Sequence, residues 1–405
     1  MPPKTPCCDA PESEVERLIA EVNQLALSWK DRIQPHKPAT SEQSTRLAAD
    51  CAGYGSEVIA FTLLGLRRRA QVVMLSEIDP AKQALHCAVV KQCGWPQDRG
   101  HVYADIMKRD DEAAPSADVY IAGYPCPSYS KLGRRQGAAD ARGLVTLKGL
   151  RYIAAKRPRV VVLEQVAALK SKKHKRVWEF VQKIFHLLQY DMVHQVISPK
   201  HVSVPQSRDR LYLCAVAQES KKRKLSMPQP RSSCTDLHFF IDKAVRGEEM
   251  LSLPIYEEKL GQKMWEKLFI LDVGSSLTWQ HPLKNLSPCL TKARLQGNGF
   301  YLPKLRRRLR LAEAARLQSV PQEVAMSMRR KAERRGLKAR TVEAALGDAM
   351  SIAVLMTALT RALDASGLTE DCVAKKDYWM KVPLGEPSAR MVDRLFAQVC
   401  GGSNK

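Results

Sequence analysis

What the chain lacks narrows its class. None of its 11 cysteines stands in a Cys-x-x-Cys spacing, and Cys7-Cys8 are adjacent in a polar stretch. That leaves no frame for structural zinc, and scattered thiols among apolar neighbours such as Cys51, Cys87 and Cys214 are expected to stay reduced. No uninterrupted apolar run is long enough to span a bilayer. The opening MPPKTPCCDAPESE has no apolar signal core, so an intracellular protein is expected. Acidic residues are short: 42 Asp and Glu stand against 65 Lys and Arg, a net charge of +23. Such an excess favours a polyanionic partner, most simply nucleic acid, over a membrane. There is no internal repeat.

The 405 residues, 45% of them apolar, suffice for a sizeable core. Residues 12–30 carry Val15, Leu18, Ile19, Val22, Leu25 and Trp29 at helical spacing, and Pro35 and Pro38 then break the chain. From about 46 to 216, strand text (45–51, 71–77, 119–122, 159–163, 211–217) alternates with helical text near 56–66, 80–93, 144–156 and 175–188. That rhythm means an α/β fold, a mostly parallel sheet with helices on both faces. It stops at the polar, basic, proline-bearing stretch 219–232, read as an exposed linker. The text to about 300 is irregular, and helical spacing returns at 311–317, 341–363 and 388–399. The expected divisions are an N-terminal extension (1–45), a catalytic domain (46–222), a recognition region (223–303), a C-terminal return (304–365) and a tail (366–405).

Three acids mark a ligand end. Asp50-Cys51-Ala52-Gly53-Tyr54-Gly55 follows the first strand, and its two glycines let the backbone approach a ligand. Glu77-Ile78 ends the second strand, where a carboxylate suits ribose hydroxyls. Asp105-Ile106 could accept from an adenine amino group. Together they indicate a nucleoside-containing cofactor without separating a dinucleotide from S-adenosylmethionine. The third glycine of a pyrophosphate fingerprint is missing, since Glu57-Val58 stand there.

A second group carries reactive side chains. Asp118–Ala122 runs into Gly123-Tyr-Pro125-Cys126-Pro-Ser128. It sets one thiol after a buried strand, between prolines that fix the backbone. Glu164 leaves the apolar run Val160–Leu163, and lost hydration suits a group that keeps or donates a proton; the competing reading is an ion pair with a nearby cation. Gln206, Arg208 and Arg210 alternate in an extended segment, so all three should face one side and line a site. Arg306-Arg307-Arg308 and Arg329-Arg330-Lys331 are candidate phosphate contacts.

In this order, CAGYG, SEID, ADI, GYPCPSYS, VVLEQV, VPQSRDRLYLCAV, SPCLT, LAEAARLQSVP and LGDAMSIAV resemble the cytosine-5 DNA methyltransferase family over about residues 46–216 and 285–358. The resemblance implies a Rossmann-like sheet with a small irregular target-recognition domain, and S-adenosyl-L-methionine as cofactor. It places Cys51, Gly53, Tyr54, Gly55, Glu77, Ile78, Asp105, Ile106, Pro125 and Asp348 around that cofactor. Cys126 becomes the nucleophile, with Glu164, Arg208 and Arg210 as its catalytic partners. Gln206, Ser128 and Arg306–Arg308 fall to the nucleic acid. The chain departs from the family at Cys51, where an aromatic residue is usual, at Ser56, Pro127 and Gln165, and at Asp348, where Asn is usual. The expected substrate is DNA, with structured RNA as the alternative and a catalytically decayed DNA-binding regulator as the third reading, and the expected state is a monomer. Lys221-Lys-Arg-Lys224 beside Pro228 and Pro230 resembles a nuclear import signal, so a nuclear location is expected.

Overall fold

The computed structural model describes residues 12–29, 44–96, 100–125, 141–248, 266–274, 282–338, 340–368 and 378–400. Cys126 and Ser128 lie outside the described residues.

Seven strands form one sheet in the order β3-β2-β1-β4-β5-β7-β6. They are β1 (Thr45–Asp50), β2 (Ala70–Ser76), β3 (His101–Tyr103), β4 (Val119–Gly123), β5 (Val160–Val166), β6 (Tyr190–Ile197) and β7 (Arg210–Ala217). The first five are parallel; β7 runs antiparallel to both β5 and β6. The continuous apolar text of β5 has its cause here: all seven of its residues are buried, because helices cover both faces.

One face is covered by α1 (Glu12–Ser28), α4 (Ala141–Lys156) and α5 (Lys175–Leu187). The expected stripe on α1 packs there through Leu18, Val22 and Ala26, and the Trp29 indole donates to the Ala154 carbonyl at 2.5 Å. The other face takes α2 (Ser56–Leu63), α3 (Pro80–Gln92) and a long C-terminal helix, Ile352–Ser366. Of that helix only Asp364 escapes full burial, so its apolar run is core against β5 and β7. Met391–Cys400 packs on α2.

Several features differ from the sequence expectation. The strand Tyr190–Ile197 was absent from it: this edge strand is largely half-buried, and its polar residues Asp191, His194 and Gln195 dilute the apolar signal. The helical text 341–363 is two helices, Thr341–Asp348 and Ile352–Ser366, broken at Ala349–Ser351. The break frees the carbonyls of Gly347 and Ala349, which the Arg208 guanidinium takes at 3.2 and 3.0 Å. The region read as irregular holds a three-stranded antiparallel sheet, Leu271–Asp272, Phe300–Leu302 and Arg307–Arg308.

The basic stretch 221–224 is no free linker. Its side chains are exposed, yet the Lys222 and Arg223 N–H groups both donate to the Ala365 carbonyl and Leu225 is buried.

Leu359 is wholly buried in the C-terminal helix. Leu359→Ala should cost about 2–5 kcal/mol, the range for a large-to-small change in a packed core. Equilibrium denaturation should show a lower midpoint at constant slope. A loss below about 1 kcal/mol would contradict the packing of this helix on the sheet.

Candidate active site

Register brings the functional text to one edge. Tyr103, Ser76, Asp50 and Ala122 pair in a row across β3, β2, β1 and β4, and the next row sets Gly123 beside Glu164 and Glu164 beside Tyr212. This is the carboxyl end of the parallel strands, where open α/β sheets bind ligands.

The ligand end is built around Glu77, which is 7% exposed. Its Oε2 accepts the Gly53 N–H at 2.8 Å and its Oε1 the Asp79 N–H at 3.0 Å. Two backbone donors therefore aim the carboxylate, and each oxygen keeps a lone pair for a ligand hydroxyl. The turn above it is left-handed at Cys51, Gly53 and Gly55. Gly55 is constrained twice, by φ +78° and by α3: a Cβ there would meet Val89 and His86 at 3.2–3.3 Å. Ile78 is 73% exposed beside Glu77, a branched apolar group next to a polar anchor. Asp105 caps a short 3-10 turn by accepting the Met107 N–H at 2.9 Å, while Ile106 is buried beneath it. These groups fit a nucleoside: hydroxyl acceptors, an apolar shelf and a second carboxylate on neighbouring strand ends.

Three expected ligand residues behave differently. The Tyr54 side chain is buried in the core, so only its backbone can face the turn. Cys51 presents a half-buried thiol, and burial, then the Asp50 and Glu77 carboxylates, push its pKa well above the usual range. It stays a neutral thiol rather than a competing nucleophile. Asp348 is engaged by Lys82 at 2.7 Å and Lys292 at 3.6 Å. Burial opposes the Lys82 charge, but Asp348 and then Glu77 raise its pKa overall. The ion pair ties α3 to the end of the helix Thr341–Asp348. Two residues on, Met350 lies against Gly123, within 3.5–3.6 Å of the place a Cβ would occupy there.

At the reacting end Glu164 is 4% exposed, and its Oε1 meets the Arg210 Nε at 3.2 Å. The carboxyl group is ion-paired, the competing reading of the sequence. Pro125 is half-buried at the end of β4 and leads directly into Cys126.

The expectation that Gln206, Arg208 and Arg210 face one side and line a site requires correction for the first two. Gln206 is fully buried and donates to the Leu317 carbonyl at 2.9 Å. Arg208 is 4% exposed and donates to the carbonyls of Leu290, Gly347 and Ala349 at 3.0, 3.2 and 3.0 Å. Both fasten the C-terminal return to the sheet, because unmet carbonyls at a helix end need buried donors. Among the phosphate candidates, Arg307 is spent on Glu313, at 2.6 and 2.9 Å, and on the carbonyls of Val245 and Asp242. Arg308 donates to the Asn298 carbonyl and lies over the Tyr301 ring. Arg306 is exposed, in the left-handed region. Sequence reasoning missed Lys82 and Arg109, whose partners are remote in the chain.

The model of the C-5 cytosine-specific DNA methylase family matches residues 51–342, and the chain belongs to that family. It is 26% identical over 216 residues to the type II methyltransferase M.DsaV of Dactylococcopsis salina, covering 53% of this chain and 56% of that protein. Against M.HhaI of Haemophilus parahaemolyticus it is 27% identical over 126 residues, 31% of this chain and 38% of that protein. The chain thus spans about half or less of the length of these curated relatives. The fold is that of solved methyltransferases. The S. pombe Dnmt2 methyltransferase superposes with a TM-score of 0.53 at 15% identity, over 79% of this chain and 98% of that one. The Entamoeba histolytica methyltransferase EhMeth gives 0.52 at 12% identity, over 80% and 99%.

The resemblance implies that this end takes S-adenosylmethionine; on that expectation Glu77→Ala and Asp105→Ala should each weaken its binding by about 1.5–3 kcal/mol, the worth of one hydrogen bond to a charged group. Titration calorimetry checks this, and unchanged affinity in both variants would contradict the placement of the ligand end.

Proposed function

We propose that the protein transfers a methyl group from S-adenosylmethionine to carbon 5 of a flipped-out cytosine in DNA, through the thiol of Cys126. The observation that carries this reading is the alignment of Glu77, Asp105, the Glu164–Arg210 pair and Pro125 at one edge of the sheet. Gly53, Gly55, Glu77, Ile78 and Asp105 would hold the cofactor, whose sulfonium supplies an electrophilic methyl group. Cytosine carbon 5 is a poor nucleophile. Attack of the Cys126 thiolate on carbon 6 breaks the aromatic ring and moves electron density to carbon 5 and nitrogen 3. Glu164 meets that edge of the base, and Arg210 fixes the orientation of its carboxyl group. After methylation, loss of the carbon 5 proton drives out the thiolate and restores the ring. The target atom is out of reach inside a duplex, which is why the base must leave the stack. The net charge of +23 supports a polyanionic substrate.

Cys126→Ser should abolish transfer while cofactor binding persists, because a hydroxyl near neutral pH is a far weaker nucleophile than a thiolate. DNA carrying 5-fluorocytosine should leave a denaturation-resistant adduct with the unmodified protein, since fluorine cannot leave as a proton. Turnover near the parent rate in the Ser variant would overturn the role of Cys126. An adduct on RNA but not on DNA would move the substrate to RNA.

The arginines separate by measurement. Arg306→Asn, which tolerates the left-handed backbone, should lower the slope of log affinity against log salt by about one. Arg307→Ala should leave that slope unchanged and instead lower the melting temperature, because it strands Glu313. The opposite pattern would mean that Arg307, not Arg306, reaches phosphate.

A further inference from the structure

Beneath the strand ends lies a buried polar cluster that the mechanism above does not use. The Asp50 side chain, at the end of β1, is fully buried. Its Oδ1 accepts from the Arg109 Nη1 at 2.5 Å and from the Ser76 hydroxyl at 2.6 Å; its Oδ2 accepts from the Tyr120 hydroxyl at 2.6 Å. The Tyr120 and Tyr124 hydroxyls are 3.0 Å apart. Tyr120 has one proton and gives it to Asp50, so in the second contact Tyr124 is the donor. Arg109 is held from its other side by Asp111 at 2.7 Å, and Asp111 by Lys148 at 3.0 Å.

The chain of bonds joins two working parts. Asp50 immediately precedes the left-handed turn at Cys51 and Gly53, whose N–H is bonded to Glu77. Tyr124 precedes Pro125-Cys126. Room for its hydroxyl has been made on purpose: a Cβ on Gly149 would lie 1.9 Å from the Tyr124 Oη. Phenylalanine at 120 and 124 and a plain apolar residue at 50 would fill this volume without the desolvation cost of a buried carboxylate and guanidinium. Burial, then the Asp50 carboxylate, hold both phenols well above their ordinary pKa, so they remain protonated and orient rather than exchange protons.

We propose that the Asp50–Tyr120–Tyr124 hydrogen-bond chain, anchored by Arg109, holds the end of β4 at Tyr124-Pro125 in place relative to the cofactor turn, and that Tyr124 is a positioning residue for attack by the thiol that follows it in the chain. This rests on the methyltransferase reading and deepens it. A nucleophile must sit within a fraction of an ångström of its productive place, and a displacement of about 1 Å can cost about 100-fold in rate. Two loops that meet a shared substrate from different strands need a common reference, and the chain supplies one that solvent cannot loosen.

The test uses the full chain, S-adenosylmethionine and mixed-sequence DNA substituted with 5-fluorocytosine, and reads the single-turnover rate of adduct formation. Tyr124→Phe and Tyr120→Phe should each slow it about 10- to 100-fold. The double variant should be no slower than the slower single variant, because the groups act as one chain. Cofactor affinity should stay within about twofold of the parent and the shape of the pH–rate profile should be unchanged, as expected of groups that orient without titrating. Gly149→Ala, favoured in a helix interior, should slow adduct formation as well by displacing the Tyr124 hydroxyl. Parent rates in the tyrosine variants, or losses that track melting temperature and cofactor affinity, would overturn the proposal. If the parent protein forms no adduct, the methyltransferase reading fails first and this inference with it.

Discussion

The arrangement of the strand ends depends on one buried cation. Arg109 is inaccessible to solvent, lies between Asp50 and Asp111, and packs over the rings of Tyr103 and Tyr152. It comes from the connection between β3 and β4, yet it fixes the end of β1 through Asp50 and the end of β2 through Ser76. Burying this group costs several kcal/mol of hydration, which its two carboxylate partners offset. Removing one partner from such a cluster typically costs about 3–5 kcal/mol, because the remaining charges stay buried. The cluster ties the ends of β1 and β2 to the connection between β3 and β4.

The rest of the site follows from that edge. Glu77 can be aimed by the Gly53 and Asp79 N–H groups because β1 and β2 end in register. Glu164 can meet Arg210 because β7 runs antiparallel to β5 and starts where β5 ends. The C-terminal return is fastened by Gln206 and Arg208 onto carbonyls freed by the break after Asp348, and Lys82 completes the closure by an ion pair. The segments far apart in the chain that form this site are joined mainly by polar side chains on backbone carbonyls, while the helix Ile352–Ser366 supplies the apolar seal.

What could be read from the residues followed period and punctuation. The apolar run Val160–Leu163 and the Asp79-Pro80 helix start are local signals, and the observed elements begin within a residue or two of the expected ones. The edge strand Tyr190–Ile197 was lost because exposure on one side erases the apolar alternation on which such a reading depends. The placing of Glu77, Asp105 and Glu164 at or near strand ends was legible because each follows or closes an apolar strand-like run. Direction was not. Gln206 and Arg208 read as site-lining groups and Arg307 as a phosphate contact, and only the fold shows that carbonyls and Glu313 lie within their reach. Arg109, in the text Lys108-Arg-Asp-Asp111, reads as a solvated charge run, yet it pairs with a carboxylate 59 residues earlier.

The central claim is that this edge delivers a methyl group to carbon 5 of cytosine in DNA. It is tested most directly by the chemical identity of the product. The full chain should be incubated with mixed-sequence DNA and S-adenosylmethionine labelled in the methyl group, and the DNA digested to nucleosides for mass spectrometry. The account predicts label in 5-methyl-2′-deoxycytidine and in no other nucleoside. Label on an exocyclic nitrogen, or none in DNA from any source, would contradict it.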